Sequence, residues 1–191
     1  MAVARWVVAR GRVAAVRIAF SGSHRVGKTT LVERVAERLP GYATVDEPYE
    51  LLEEDGYEAA EVPTIEDFEA QLVRSLAALE EGGRDVLFDR CPVDVLAYLL
   101  EHDDARAFEA EEWLERIRDA VETLDLIVFV PIEELDRIAL APHEDAELRR
   151  AVHERLRDLL IDPALAVDVE VLTVAGDVRA RVDQVLARVV P

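Results

Sequence analysis

A chain of 191 residues and 21.4 kDa with 51% hydrophobic residues is sized for one domain around one core, and no second domain is implied. Acidic residues outnumber basic ones by 41 to 22, and the formal charge of −19 sets the surface against a nucleic-acid backbone or an anionic membrane. The single cysteine, Cys91, excludes an intramolecular disulfide and a cysteine-based zinc cluster, and no apolar run nears the ~18 residues of a membrane span, so a cytoplasmic protein with neither nucleic acid nor membrane as partner is expected.

Residues 1–15 carry Arg5, Arg10 and Arg12 among apolar residues, but the stretch is too short and interrupted for an export signal. They read as an N-terminal extension, either disordered or packed on a domain of residues 16–191. Residues 16–20 form a short β-rich run. It leads into Gly22-Ser23-His24-Arg25-Val26-Gly27-Lys28-Thr29-Thr30, which fits G-x-x-x-x-G-K-[ST]. Lys28 is the only lysine in the chain; every other Lys/Arg position is arginine. The chemistry of a phosphate-binding loop asks for these residue types. Two glycines let the backbone curl so that successive N–H groups point at phosphate oxygens, and the helix that follows adds the positive end of its dipole. The compact Lys28 ammonium reaches the outer phosphates, and the Thr29 hydroxyl suits a Mg²⁺ ligand. Leu31, Val35 and Leu39 mark the required helix over 28–39, stopped by Pro40-Gly41.

Residues 42–45 predict a second strand, ending in Asp46-Glu47-Pro48. A helix follows from Thr64, with Asp67 three residues on as a capping partner and Ile65, Phe68, Leu72, Leu76 and Leu79 as its apolar stripe until Gly82-Gly83. The strand 85–88 runs into Asp89-Arg90-Cys91-Pro92, where Pro92 suits the first turn of a helix carrying Leu96 and Leu99 and Cys91 reads as a small buried thiol. A helix over 106–121 precedes the uninterrupted apolar strand 126–130, closed by Pro131, the pattern of a strand covered on both faces. A short helix near 133–138, a polar break at 142–145, a helix over 146–160, a strand over 169–174 and an Asp177-capped helix with Val178, Val182, Val185 and Val189 complete the chain. His143 and His153 read as surface residues. Alternating strands and helices imply a doubly wound α/β sheet of about five parallel strands with helices on both faces. Ligands then bind at the strands' carboxyl ends, where Gly22, Glu47 and Asp89 all lie.

These segments resemble the P-loop kinase group, especially the AAA-domain family allied to nucleoside, nucleotide and nicotinamide-riboside kinases. The resemblance covers most of residues 16–191 and rests on GSHRVGKTT, the strand-end VDEP and FDRCP, the strand-then-proline DLIVFVP, and the arginine-bearing ELRRAVHERL. It implies ATP and Mg²⁺ as cofactors, and transfer of the γ-phosphate to a hydroxyl or phosphate of a small-molecule acceptor. It also implies a short helical lid at about residues 138–157. By this resemblance Lys28 serves the phosphates, and Glu47 or Asp89 takes the acceptor proton or orients the metal, which Thr29 and Asp89 would hold. Arg90 contacts metal water and substrate phosphate, Arg149 and Arg150 fold over the γ-phosphate, and Gln71 lies where a base or sugar is read. A GTPase is excluded by the lack of asparagine and of a second lysine for N-K-x-D. The alternative from another class is an ATP-binding regulatory or partner module that transfers no phosphate.

Overall fold

The computed structural model describes residues 16–60, 62–133, 145–161 and 165–190. The extension 1–15, the helix expected near 133–138 beyond its first residue, His143 and the first part of the expected lid lie outside the described residues.

Five strands, β1 (Arg17–Ser21), β2 (Ala43–Val45), β3 (Val86–Asp89), β4 (Leu126–Phe129) and β5 (Glu170–Thr173), form one parallel sheet in the order β2-β3-β1-β4-β5. The three central strands carry the continuous apolar runs because both of their faces are covered. β3 and β4 are buried throughout and β1 from Ile18 onward, whereas the edge strands β2 and β5 are half-buried or exposed. Alternation within β1 sorts its side chains between two cores. Ile18 and Phe20 pack with Leu87, Leu126 and Val128 against α1 (Lys28–Ala36) and α7 (Val178–Val189). Ala19 packs with Phe88, Ile127 and Phe129 against α3 (Ile65–Glu81), α4 (Pro92–Glu101), α5 (Ala110–Val121) and α6 (Ala146–Leu160). The predicted doubly wound fold with five parallel strands is therefore the observed one.

Two local expectations need correction. The helix expected over 106–121 starts only at Ala110, because a 3-10 turn at Ala105–Ala107 ends with Phe108 extended, which drives that ring into the core. A helix α2 (Pro48–Glu54) stands where none was expected. A proline directly after a strand reads as its stop, yet Pro48 occupies the first helical turn, where its missing N–H costs nothing. The chain leaves α2 through Gly56 at φ +85.

Strand register sets the site. Phe20 pairs with Asp89 and Ser21 with Phe129, so the chain leaves three adjacent strands within one residue of the same level, at Gly22, Arg90 and Val130. Gly22 is required there by proximity. A Cβ at this position would stand 2.5 Å from the Val130 carbonyl oxygen and 3.0 Å from Val26 Cγ2. Gly22→Ala must push β1 and β4 apart at their exits, and overpacking of this kind costs about 1–3 kcal/mol. A lowered urea midpoint together with weaker nucleotide binding is the expected result. An unchanged midpoint would show that the approach is not rigid.

Candidate functional site

The phosphate-binding loop lies between β1 and α1, and Gly27 at φ +86 is the N-cap of that helix. α3, α6 and α7 each have a side chain accepting from their first-turn amides, Thr64, Asp145 and Asp177 respectively. α1 has no such cap and no acidic residue in its first turn, so its N-terminus keeps its donors and its partial positive charge for a ligand. Four consecutive loop carbonyls accept from cationic side chains. Lys28 Nζ donates to Ser23 O (2.9 Å), Arg149 to His24 O (3.0 Å) and Arg25 O (3.1 Å), and Arg181 Nη1 to Val26 O (2.8 Å). In a trans peptide the next N–H points opposite to its carbonyl. The N–H groups of Arg25, Val26 and Gly27 therefore lie on the opposite side of their peptide units from the arginines that hold the carbonyls of His24, Arg25 and Val26, and are left for an anion. Arg25 itself holds φ +55, a left-handed strain stored in the loop.

Behind the loop, α4 supplies a second anchor. Asp94 is fully buried; its Oδ1 accepts from Gly22 N–H at 2.8 Å and its Oδ2 from Cys91 N–H at 3.1 Å. One turn on, the Tyr98 hydroxyl accepts from His24 N–H at 3.0 Å and lies 2.9 Å from His24 Nδ1. Burial pushes the Cys91 thiol well above its usual range, so it is an inert core group rather than a nucleophile.

Lys28, Asp89, Glu47 and Arg90 meet beneath the loop, and burial acts on each. It lowers Lys28 to about 8, helped by the Arg90 charge and opposed by Asp94, Asp89 and Glu47. It raises Asp89 above the ordinary carboxylate value, although a hydrogen bond with the Thr29 side chain and the Lys28 charge pull the other way. For Glu47 burial is outweighed by Arg90, whose Nε donates to Glu47 Oε2 at 2.6 Å, so this carboxyl lies below its usual value. Arg90 sits at φ +85 and faces Glu47, Asp94 (3.9 Å) and the Tyr98 ring (5.6 Å). Buried Ser21 Oγ, Ser23 Oγ, Asp89 Oδ1 and Arg90 Nη1 have no hydrogen-bond partner. Orphaned polar atoms are rare in folded proteins, and several of them at one place mark a surface awaiting a polar ligand. The orphaned Asp89 oxygen beside the Thr29 hydroxyl fits Mg²⁺, which takes one or two protein oxygens and fills its shell with phosphate and water. Among the described residues no group of three or more His, Cys, Asp or Glu forms a metal cage.

Two cavities share the loop. One of about 210 Å³ is lined by Arg25, Gly27, Thr30, Pro131, Gly176 and Arg181. The other, about 910 Å³, has His24, Glu47, Phe68, Gln71, Arg90 and Tyr98 in its wall.

A family model described as AAA domain matches residues 17–181, most of the chain. The chain belongs to this AAA-domain family. Its fold is that of P-loop nucleoside and nucleotide kinases. Deoxyadenosine kinase from M. mycoides, with dCMP and dCDP bound, superposes with a TM-score of 0.63 at 15% identity, covering 90% of this chain and 96% of that one. NadR in complex with NAD and AMP-PNP gives 0.61 at 20% identity, over 91% of this chain and 49% of that one. Thymidylate kinase from Candida albicans gives 0.58 at 14%, over 91% of each. No curated protein matches the chain. Among the described residues, no helix is long and apolar enough to cross a membrane.

For this AAA-domain chain, the structure brings together most of the residues singled out in the sequence. Gly22 to Thr30, Glu47, Asp89 and Arg90 converge at the carboxyl ends of β1, β2 and β3, and Gln71 lies in the wall of the larger cavity. The two α6 arginines separate. Arg149 is buried against the loop, while Arg150, ~100° further around the helix, is exposed. His153 is not the surface residue expected. It is half-buried and stacks on Phe129 at 5.6 Å, because α6 packs that side on β4. Asp94, Tyr98, Glu133 and Arg181 were missed. Arg181 had a readable signal, since it is a cation inside the Val178, Val182, Val185 and Val189 stripe; it pairs with Glu133 at 3.4 Å, whose carboxylate accepts from Gly176 N–H.

Proposed function

We propose that the protein is a kinase that transfers the γ-phosphate of Mg-ATP to a small nucleoside-like or nucleotide-like acceptor. The observation that carries this reading is one loop serving two cavities. Arg25, Val26 and Gly27 line the smaller and His24 the larger, and Glu47 and Arg90 stand in the wall of the larger. A module that only binds ATP needs one cavity; phosphoryl transfer needs donor and acceptor on opposite sides of the moving group.

In this reading the nucleotide's base end enters the smaller cavity, and the triphosphate lies on the amides of residues 25–29 with Lys28 at its outer end. Thr29 and Asp89 would hold Mg²⁺, which when bound would supply charge neutralisation at the phosphates. Glu47 faces the acceptor side, is ionised at neutral pH and accepts the hydroxyl's hydrogen, and Arg90 fixes its orientation. A strong base is not needed, because the attacking hydroxyl loses its proton late in a loose transition state; position matters more. Arg149 and Arg181 keep the loop carbonyls turned away from the phosphates.

ADP release measured with a panel of nucleosides, nucleotides and nicotinamide riboside tests the proposal. Glu47→Gln is expected to lower kcat by about 10²-fold or more with ATP affinity retained. Asp89→Asn is expected to keep ATP binding in the absence of Mg²⁺ and to lose Mg²⁺-dependent turnover. Full turnover in Glu47→Gln would move the proton-accepting role to Asp89. ADP formation that no acceptor accelerates would favour the binding module.

A further inference from the structure

We infer that Arg181, oriented by Glu133, is a positioning residue for the triphosphate: it locks the Val26–Gly27 peptide with the Gly27 N–H turned to the phosphates. This rests on the kinase reading, in which the triphosphate lies on that loop, and adds to it two residues that the loop motif does not contain. Arg181 ends the first turn of α7 on its buried side, with Val182, Val185 and Val189, and is 8% exposed. Its Nε is buried without a hydrogen-bond partner. A guanidinium is always charged, and burying it with one N–H unsatisfied opposes folding, so an apolar residue would suit this stripe better. What the side chain does instead is join three segments. Nη1 donates to Val26 O at 2.8 Å, Nη2 lies 3.4 Å from Glu133 Oε1, and that same oxygen accepts from Gly176 N–H. The loop, the exit of β4 and the turn between β5 and α7 thus meet on one planar fork, which the single ammonium of a lysine would not span in the same way.

The Val26 carbonyl and the Gly27 N–H are opposite ends of one planar unit, so holding the oxygen fixes the direction of the N–H. This unit needs holding. Gly27 stands at φ +86, and because glycine takes either sign of φ, the peptide before it can turn over at little steric cost. Turned over, it would aim the Val26 oxygen at the phosphates in place of an N–H. Arg181 prevents this by keeping the oxygen on the α7 side, and Glu133, itself tied to the Gly176 amide, keeps the fork in place. Both residues also line the smaller cavity, so contact with the base is the competing role. The two roles differ in which part of the nucleotide feels the loss.

The test is calorimetry on the full chain with two ligands, ATP and inorganic tripolyphosphate, both with Mg²⁺. The variants are Arg181→Met, Arg181→Lys, Glu133→Gln and the double Arg181→Met/Glu133→Gln. Methionine fills the stripe, glutamine keeps an oxygen for Gly176 N–H, and the double variant leaves net charge unchanged. It is expected to melt within a few degrees of the natural protein, as buried ion pairs replaced by uncharged groups commonly do. Its affinity for ATP and for tripolyphosphate is expected to fall by the same factor, about tenfold or more, the scale of one hydrogen bond to a charged group. The double variant loses no more than Arg181→Met alone, because Glu133 acts through the guanidinium. Arg181→Lys keeps the charge without the fork and stays several-fold weaker than the natural protein. A loss confined to ATP, no loss for either ligand, full recovery with lysine, or a double variant that does not fold each overturns this inference and leaves the kinase reading standing. Equal losses in a protein whose ADP release no acceptor accelerates overturn the kinase reading alone. Failure of the natural protein to bind either ligand overturns both.

Discussion

Lys28→Ala is expected to abolish ATP binding while leaving the free protein about as stable as before. The ammonium is buried at 5% exposure, with the Ser23 carbonyl as its one direct hydrogen-bond partner among the described residues, and burial lowers its pKa from 10.5 to about 8. Keeping that charge inside costs roughly 3 kcal/mol at pH 7, at 1.36 kcal/mol per unit. Removing the side chain relieves this cost. It also leaves the Ser23 carbonyl unsatisfied, a loss of about 1–3 kcal/mol that nearly offsets the gain. The sign of the pH dependence follows from the lowered value. Between pH 8 and 10.5 the unfolded chain holds a proton on Lys28 that the folded chain has lost, so stability attributable to this group rises with pH across that window. ATP binding runs the other way. Only the ammonium grips the triphosphate, so affinity falls about tenfold from pH 7 to pH 9, and binding near pH 8.5 takes up on the order of 0.8 proton. Calorimetry in buffers of different ionisation enthalpy measures that uptake. Thermal shifts with ATP that are equal for Lys28→Ala and the natural protein would sink the loop assignment.

Asp94→Ala is expected to cost about 3–5 kcal/mol, on the scale of a broken buried charge network. At about 2–4 °C per kcal/mol for a chain of this size, the melting temperature falls by roughly 10 °C. Two buried amides, Gly22 N–H and Cys91 N–H, lose their acceptor together, and Arg90 loses a neighbouring carboxylate. Asp94→Asn is no rescue, because one of its two ends is then an NH₂ facing an N–H. Asp103→Asn, on an exposed residue, is the control and is expected to stay within ~0.5 kcal/mol. Urea unfolding of the three variants decides the matter. A loss below ~1 kcal/mol for Asp94→Ala would mean that water replaces the carboxylate and that α4 does not pin the loop.

The parts legible in the chain are those written in adjacent residues. The loop motif, the apolar strand 126–130 and the Thr64–Asp67 capping box need only local patterns, and all three stand where the sequence puts them. α2 escaped because seven residues are too few to show a helical period, and its Pro48 reads equally as an end or a beginning. The start of α5 escaped because Phe108 answers to the core rather than to helix propensity. His153 escaped because a charge-rich helix looks exposed all round until one knows which side meets β4.

From the sequence alone came the phosphate loop with its single lysine, the parallel sheet and the carboxylates at its strand ends, since each follows from hydrogen-bonding and burial demands of contiguous residues. Packing alone decided that Arg149 and Arg181, 124 and 155 residues from the carbonyls they hold, close on the loop, that Asp94 ties it to α4, and that the loop borders two cavities. Such meetings depend on strand register and helix rotation, which are properties of the whole packed chain and are written in no single stretch of it.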